Sequence, residues 1–179
     1  HMVNIIFEAH GTTYDNEKEL PSGHFDVELS PLGVGQSKEM GERYNGDNFD
    51  AVFCSDLKRA YTSAEIGFGN KWLIIKDARL RECDYGDYTR KPELWSEGEK
   101  SKRINKPFPN GESYTQTTER MKSFLSDLLR EYDGKRVMII GHRATQYGLE
   151  SLIKKIPLEE IISVPWKWQP GWKYKLEKI

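Results

Sequence analysis

Two histidines stand where buried, strand-like runs end. His10 closes "VNIIFEAH" and is followed by Gly11, and His142 closes "RVMIIGH" and is preceded by Gly141. A third run, "AVFCSD", ends on Ser55-Asp56, with Arg59 in the first turn of the helical pattern behind it. In open parallel α/β sheets, ligands gather outside the carboxyl ends of the strands. Two imidazoles, a guanidinium and helix N-termini converging there would suit an anion such as phosphate. A neutral imidazole has a pKa near 6.5 and is a good nucleophile close to neutral pH. Phosphoryl transfer needs in-line positioning and cations around the equatorial oxygens, a role that arginine and histidine can fill without metal. Two histidines and an acid also suit zinc. The chain has no H-x-H or H-x-x-x-H spacing, however, and Arg59 would repel a cation, so neither metal nor cofactor is expected. A histidine merely hydrogen-bonded at a strand end is the plain alternative for both rings.

The elements that must carry these residues are legible as periodic patterns. The runs "VNIIFEA", "AVFCS", "WLII" and "RVMII" predict buried strands. Ser30-Pro31 is an N-cap followed by proline at the first helical position, opening a helix through about Tyr44 that Asn45-Gly46 stops. A second helix is expected from about Leu57 to Ile66. A third starts at Ser113, with Met121, Phe124, Leu125, Leu128, Leu129 and Tyr132 forming one apolar stripe. A fourth follows His142 up to the break at Pro157, and the tail alternates like an edge strand. Strands alternating with helices predict an α/β fold, a three-layer sandwich with a mostly parallel central sheet and helices on both faces. From about 79 to 111 the pattern fails, which predicts a lid-like insertion with one short helix around Pro92 to Gly98.

Composition narrows the classes. Residues 3–179 are expected to form a single domain, and His1-Met2 reads as a tag remnant. Charged residues make up 31% with a net charge of −1, so no basic field points to nucleic acid. No apolar run is long enough to span a membrane, and no signal peptide is visible. The two cysteines, Cys54 and Cys83, form no C-x-x-C pair and are expected to be reduced thiols. The expected location is cytoplasmic.

Six segments in order resemble the histidine phosphatase superfamily, also called phosphoglycerate mutase-like. "AHGTTYDN" resembles its R-H-G-x-T-x-x-N signature, and "GHFDVELSPLGVGQ" its G-x-x-D-x-x-L-T-x-x-G-x-x-Q segment. "CSDLKRAYTSAE" is similar to S-S-x-L-x-R-A-x-x-T-A-E. "LRECDYGDYTRK" is similar to L-R-E-x-x-x-G-x-x-x-G, with Lys91 at or beside the last glycine. "PNGESY" resembles the G-G-E-S stretch, and "VMIIGHRATQYGLE" the strand of the second histidine, commonly S-H-G. The resemblance implies that His10 is a nucleophile forming a phosphohistidine. His142 and Arg59 would hold the phosphoryl oxygens, and Glu82 would serve as acid and then base. Gly11, Asn16 and Gly23 would line the phosphate or substrate pocket.

The chain departs from that pattern in one pocket. Ala9 stands where the family has arginine, and Arg143 stands where it usually has glycine. Three readings are open: an engineered substitution, a protein that binds without turnover, or an exchange in which Arg143 restores the missing guanidinium.

The resemblance implies hydrolysis of a phosphomonoester on a small phosphorylated metabolite, a sugar phosphate or nucleotide-like compound. A non-catalytic phosphate-binding module or a mutase-type phosphotransferase is the alternative. Mutases of the family are usually longer. In the insertion, Arg81, Arg90, Lys91, Lys100, Lys102 and Arg103 lie among tyrosines and Trp95, and would suit an anionic substrate unless they are ordinary solvated charge. His24 is expected at the surface or pocket rim. Trp166, Trp168 and Trp172 read as core or edge packing, with a ligand platform as the other possibility. The oligomeric state is not legible.

Overall fold

A computed structural model describes all 179 residues. Five strands form one sheet in the order β3-β2-β4-β1-β5. They are β1 (Val3–Ala9), β2 (Ala51–Cys54), β3 (Ile74–Lys76), β4 (Arg136–Gly141) and β5 (Trp172–Leu176). The first four are mutually parallel, and β5 runs antiparallel along β1 as an edge. β4 is buried at nearly every position, as expected for a central parallel strand that is covered on both faces.

Alternation along the strands sorts side chains to two cores. Val3, Ile5 and Phe7 of β1 join Val137 and Ile139 beneath α4 (Tyr114–Glu131) and α5 (Arg143–Lys154). Ile6, Met138 and Ile140 face α2 (Pro31–Arg43) and α3 (Lys58–Phe68) on the other side. Helices therefore cover both faces. The α4 stripe buries Met121, Phe124, Leu125 and Leu128, each worth about 1.5–3 kcal/mol when removed from water. Leu129 and Tyr132 pack at its margin. Ser113 and Gln116 close a capping box at its start, and Ser30 caps α2 ahead of Pro31. No helix is long and apolar enough to cross a membrane. Both cysteines are free and buried.

Several expectations need correction. The third strand is only Ile74–Lys76: Trp72 turns back onto Phe49 and Phe68, and Leu73 is exposed. Two short helices, α1 (Tyr14–Glu17) and α6 (Leu158–Ser163), were not anticipated, because four to six residues show no helical period. The stretch from 79 to 111 holds several 3₁₀ turns rather than one helix, and the turn near Pro92 ends at Trp95. It is also well packed. Cys83, Tyr85, Leu94, Ile104 and Phe108 build a third core with Tyr114, Ala144, Tyr147 and α6. Single-turn segments bury residues at irregular intervals, so periodicity does not reveal them.

Candidate active site

The sheet register brings the site together. Ala9 pairs with Gly141, and Cys54 with Ile140, so His10, His142 and Ser55 emerge side by side from β1, β4 and β2. The His10 N–H donates to the Gly141 carbonyl at 3.1 Å. The two imidazoles lie 5.0 Å apart, centroid to centroid, with planes inclined at 58°. They sit in a cavity of about 1190 Å³ that Ala9, Gly11, Asn16, Gly23, Arg59, Glu82 and Arg143 also line. All eight residues nominated from the sequence therefore meet in one place.

Each ring has a defined environment. His10 Nδ1 lies 2.6 Å from the Gly11 carbonyl oxygen. A carbonyl can only accept, so Nδ1 carries the proton and Nε2 keeps its lone pair. Gly11 is required here, since a Cβ would meet the Gly33 carbonyl oxygen at 2.5 Å. His142 Nε2 lies 2.7 Å from Ser55 Oγ, while its Nδ1 is buried without a protein partner. Burial, reinforced by Arg59, pushes the His10 imidazole down to about 3 and holds His142 well below its usual 6.5. Both rings are neutral at physiological pH.

Arg59, in the first turn of α3, is buried without a carboxylate partner. Its guanidinium instead donates to the carbonyls of Phe25 (3.0 Å) and Gly23 (2.6 Å). Gly23 adopts φ +54°, a conformation that favours glycine. A buried cation with no counter-charge is costly unless an anion joins it. Together with the orphan Nδ1 of His142, Arg59 makes an anion the natural occupant of this cavity.

Glu82 reaches the cavity from the loop after Leu80. Its Oε1 accepts from Cys83 N (2.8 Å) and from Ala144 N at the start of α5 (3.3 Å). Oε2 makes no protein hydrogen bond. The loop is clamped by Arg120 of α4, which donates to the carbonyls of Arg79, Arg81 and Glu82, each at 2.8 Å. His24, expected at the rim, holds the Glu82 carbonyl at 2.8 Å instead of facing the cavity. Asn16 Oδ1 accepts from Thr13 N in the cap of α1, leaving its amide nitrogen without a protein partner.

Arg143 has no hydrogen-bonded acceptor in the protein. Its guanidinium lies 5.2 Å from the ring centroid of Trp95 and 5.1 Å from that of Trp166. Ala9 and Arg143 line the same cavity.

The family comparison bears directly on this arrangement. The model of the histidine phosphatase superfamily (branch 1) matches residues 5–169. The chain belongs to this superfamily. It is 31% identical over 152 residues to the Bacillus subtilis protein named uncharacterized phosphatase PhoE, covering 83% of this chain and 76% of that one. It is also 31% identical over 176 residues to a 2,3-bisphosphoglycerate-dependent phosphoglycerate mutase of Allorhizobium ampelinum, covering 89% and 83%. Mycobacterial glucosyl-3-phosphoglycerate phosphatase, solved in complex with VO3, superimposes with a TM-score of 0.76 at 24% identity. That match covers 88% of this chain and 84% of the other, and shows a shared fold. Because so much of the mutase is matched, chain length separates the branches less sharply than the sequence suggested.

Within this histidine phosphatase fold, two expectations about the cavity walls fail. None of the insertion's six cationic residues lines the cavity. Arg81 pairs with Asp56 and Arg90 with Asp15, Lys102 pairs with Glu99, Arg103 stacks on Tyr88 and Phe108, and Lys100 donates to Tyr147 Oη. The insertion contributes Glu82, Tyr85, Pro92 and Trp95 to the lining instead. The tryptophans also divide: Trp172 is core, whereas Trp166 and Trp168 form cavity wall. Ser55, Ser63 and Arg43 were not nominated. Ser63 accepts the Gly11 N–H at 3.0 Å. The only sequence signal for Arg43 is its place on one α2 face with Gln36, Glu39 and Met40.

Proposed function

We propose that this protein is a metal-independent phosphomonoester hydrolase that works through a phosphohistidine on His10, with a small phosphorylated metabolite as substrate. The observation that carries this reading is the pair of neutral imidazoles, 5.0 Å apart, facing one cavity with the His10 Nε2 lone pair unengaged. In the first step Nε2 attacks phosphorus and the ester P–O bond breaks. Glu82, protonated on its unengaged Oε2, gives that proton to the departing alkoxide. In the second step the Glu82 carboxylate takes a proton from water, the water oxygen bonds to phosphorus, and the P–N bond breaks. Orthophosphate leaves and His10 recovers its lone pair. Arg59 and the Nδ1–H of His142 meet the equatorial oxygens, with the Ser55 hydroxyl donating to Nε2 to fix that tautomer. Arg143 supplies the guanidinium that Ala9 lacks.

Two observations favour other readings: Ala9 favours a binding module, and the mutase-named relative favours phosphoryl transfer between hydroxyls. Incubation with p-nitrophenyl phosphate and a panel of sugar and nucleotide monophosphates, with chelator present, separates all three. Phosphate release that survives chelation and is lost in His10→Ala supports the hydrolase. Binding without release supports the module, and a positional isomer without net release supports the mutase.

A further inference from the structure

Three arginines line the cavity, and Arg143 is the one tied to no oxygen of the protein: Arg43 pairs with Glu8, and Arg59 donates to two carbonyls. What holds Arg143 is aromatic. Its guanidinium carbon lies 5.2 Å from the Trp95 ring centroid and 5.1 Å from that of Trp166, inside the roughly 6 Å over which a ring face attracts a cation. One indole ends the Pro92–Trp95 turn and the other lies in the loop before β5, and both line the cavity. Each ring is itself fixed. Trp95 Nε1 donates to the Glu19 carbonyl at 2.8 Å. Trp166 Nε1 donates to Gln146 Oε1 at 3.2 Å, and its ring stacks on Trp172 with centroids 5.6 Å apart. Gln146 is buried on α5, three residues after Arg143. One helix therefore carries both the guanidinium and the amide that orients one of its rings.

Aromatic partners have a chemical consequence here. A carboxylate would also hold an arginine, but it would cancel the charge and take up the N–H donors. An indole face does neither: it restrains the planar group and leaves the donors for another acceptor. Restraint matters because an unrestrained arginine loses rotamer freedom when it grips a ligand, which weakens binding. The charge is also felt at the reacting centre, where Arg143 helps to push the His10 imidazole down.

We propose that Trp95 and Trp166 are positioning residues, an aromatic bracket that holds the Arg143 guanidinium in place to receive the phosphoryl group. This rests on the reading that Arg143 contacts the phosphoryl oxygens. Calorimetric titration with inorganic phosphate, chelator present, tests it without turnover. Arg143→Ala should weaken phosphate binding about tenfold or more, the usual effect of losing a charged donor. Trp95→Leu and Trp166→Leu should each weaken it about fivefold, the worth of one cation–ring contact, and Phe at either position should recover part of the loss. In the Arg143→Ala background the same tryptophan changes should shift affinity by less than about twofold, because their effect runs through the guanidinium. Trp95 is 38% exposed, so Trp95→Leu carries the test if the Trp166 variant fails to fold. Tryptophan changes that leave phosphate affinity intact, or weaken it equally with and without Arg143, overturn the bracket alone. Unchanged affinity in Arg143→Ala, or no phosphate binding by wild type, removes the reading beneath it and the bracket as well. Failure to release phosphate from any ester would strike only the hydrolase reading.

Discussion

His10 has a ring nitrogen to spare because the Gly11 carbonyl engages the other one. His142 has a buried ring nitrogen to spare because Ser55 engages the other. Arg59 spends donors on two carbonyls and keeps its charge unpaired. Each is an unfinished interaction pointing toward the same ligand. Arg143 adds a fourth, held between two indoles with no acceptor of its own. If it replaces the guanidinium lost at Ala9, Arg143→Ala should lower kcat/KM for p-nitrophenyl phosphate about 100-fold, the usual cost of removing one charge-stabilising donor. Ala9→Arg should then change turnover only a few-fold. A near-silent Arg143→Ala, or a large gain from Ala9→Arg, would mean the site is weakened as it stands.

At the scale of elements, three neighbouring parallel strands deliver His10, His142 and Ser55, and a loop clamped by α4 delivers Glu82. Arg120 makes that clamp, with Glu112 holding its other edge at 2.9 and 3.0 Å. Arg120→Met would leave the Arg79 and Arg81 carbonyls and the Glu112 carboxylate short of donors, costing about 3 kcal/mol and lowering Tm by about 6–12 °C. Because Arg120 positions Glu82 without touching substrate, kcat should fall about tenfold with KM nearly unchanged. A rise in KM alone would show that the loop shapes binding and not proton transfer. The strands and their terminal histidines were legible because buried parallel strands read as continuous apolar runs and strand ends are marked by glycine. The insertion was not legible: its cations looked available, yet Asp15 and Asp56 engage two of them across contacts no local pattern reveals. The division of the tryptophans was hidden for the same reason. Trp172 lies in β5, and Trp166 and Trp168 lie in the loop before it, where no period assigns a face.

The whole molecule feels the protonation of its site. His10 and His142 are held neutral in the folded state, whereas in the unfolded chain each titrates near 6.5. Below that pH the unfolded state binds more protons, so stability is present above about 6.5 and lost on acidification. For His10 the window runs from about 6.5 down to about 3. Within it, each histidine contributes a slope of about 1.4 kcal/mol per pH unit. Chemical denaturation between pH 7 and pH 4 should show this loss, with a shallower slope in His10→Gln. An identical slope in that variant would mean the ring is charged in the folded state.

Everything at the larger scales serves the availability of His10 Nε2. The most direct test is to mix enzyme, chelator and a turned-over phosphate ester, quench in alkali, and measure the mass of the peptide that contains His10. The account predicts one added PO3 unit on that residue, stable to alkali, released by acid and absent in His10→Ala. Phosphate release with no phosphorylated His10 peptide at any time during turnover, or the added mass on another residue, would contradict it.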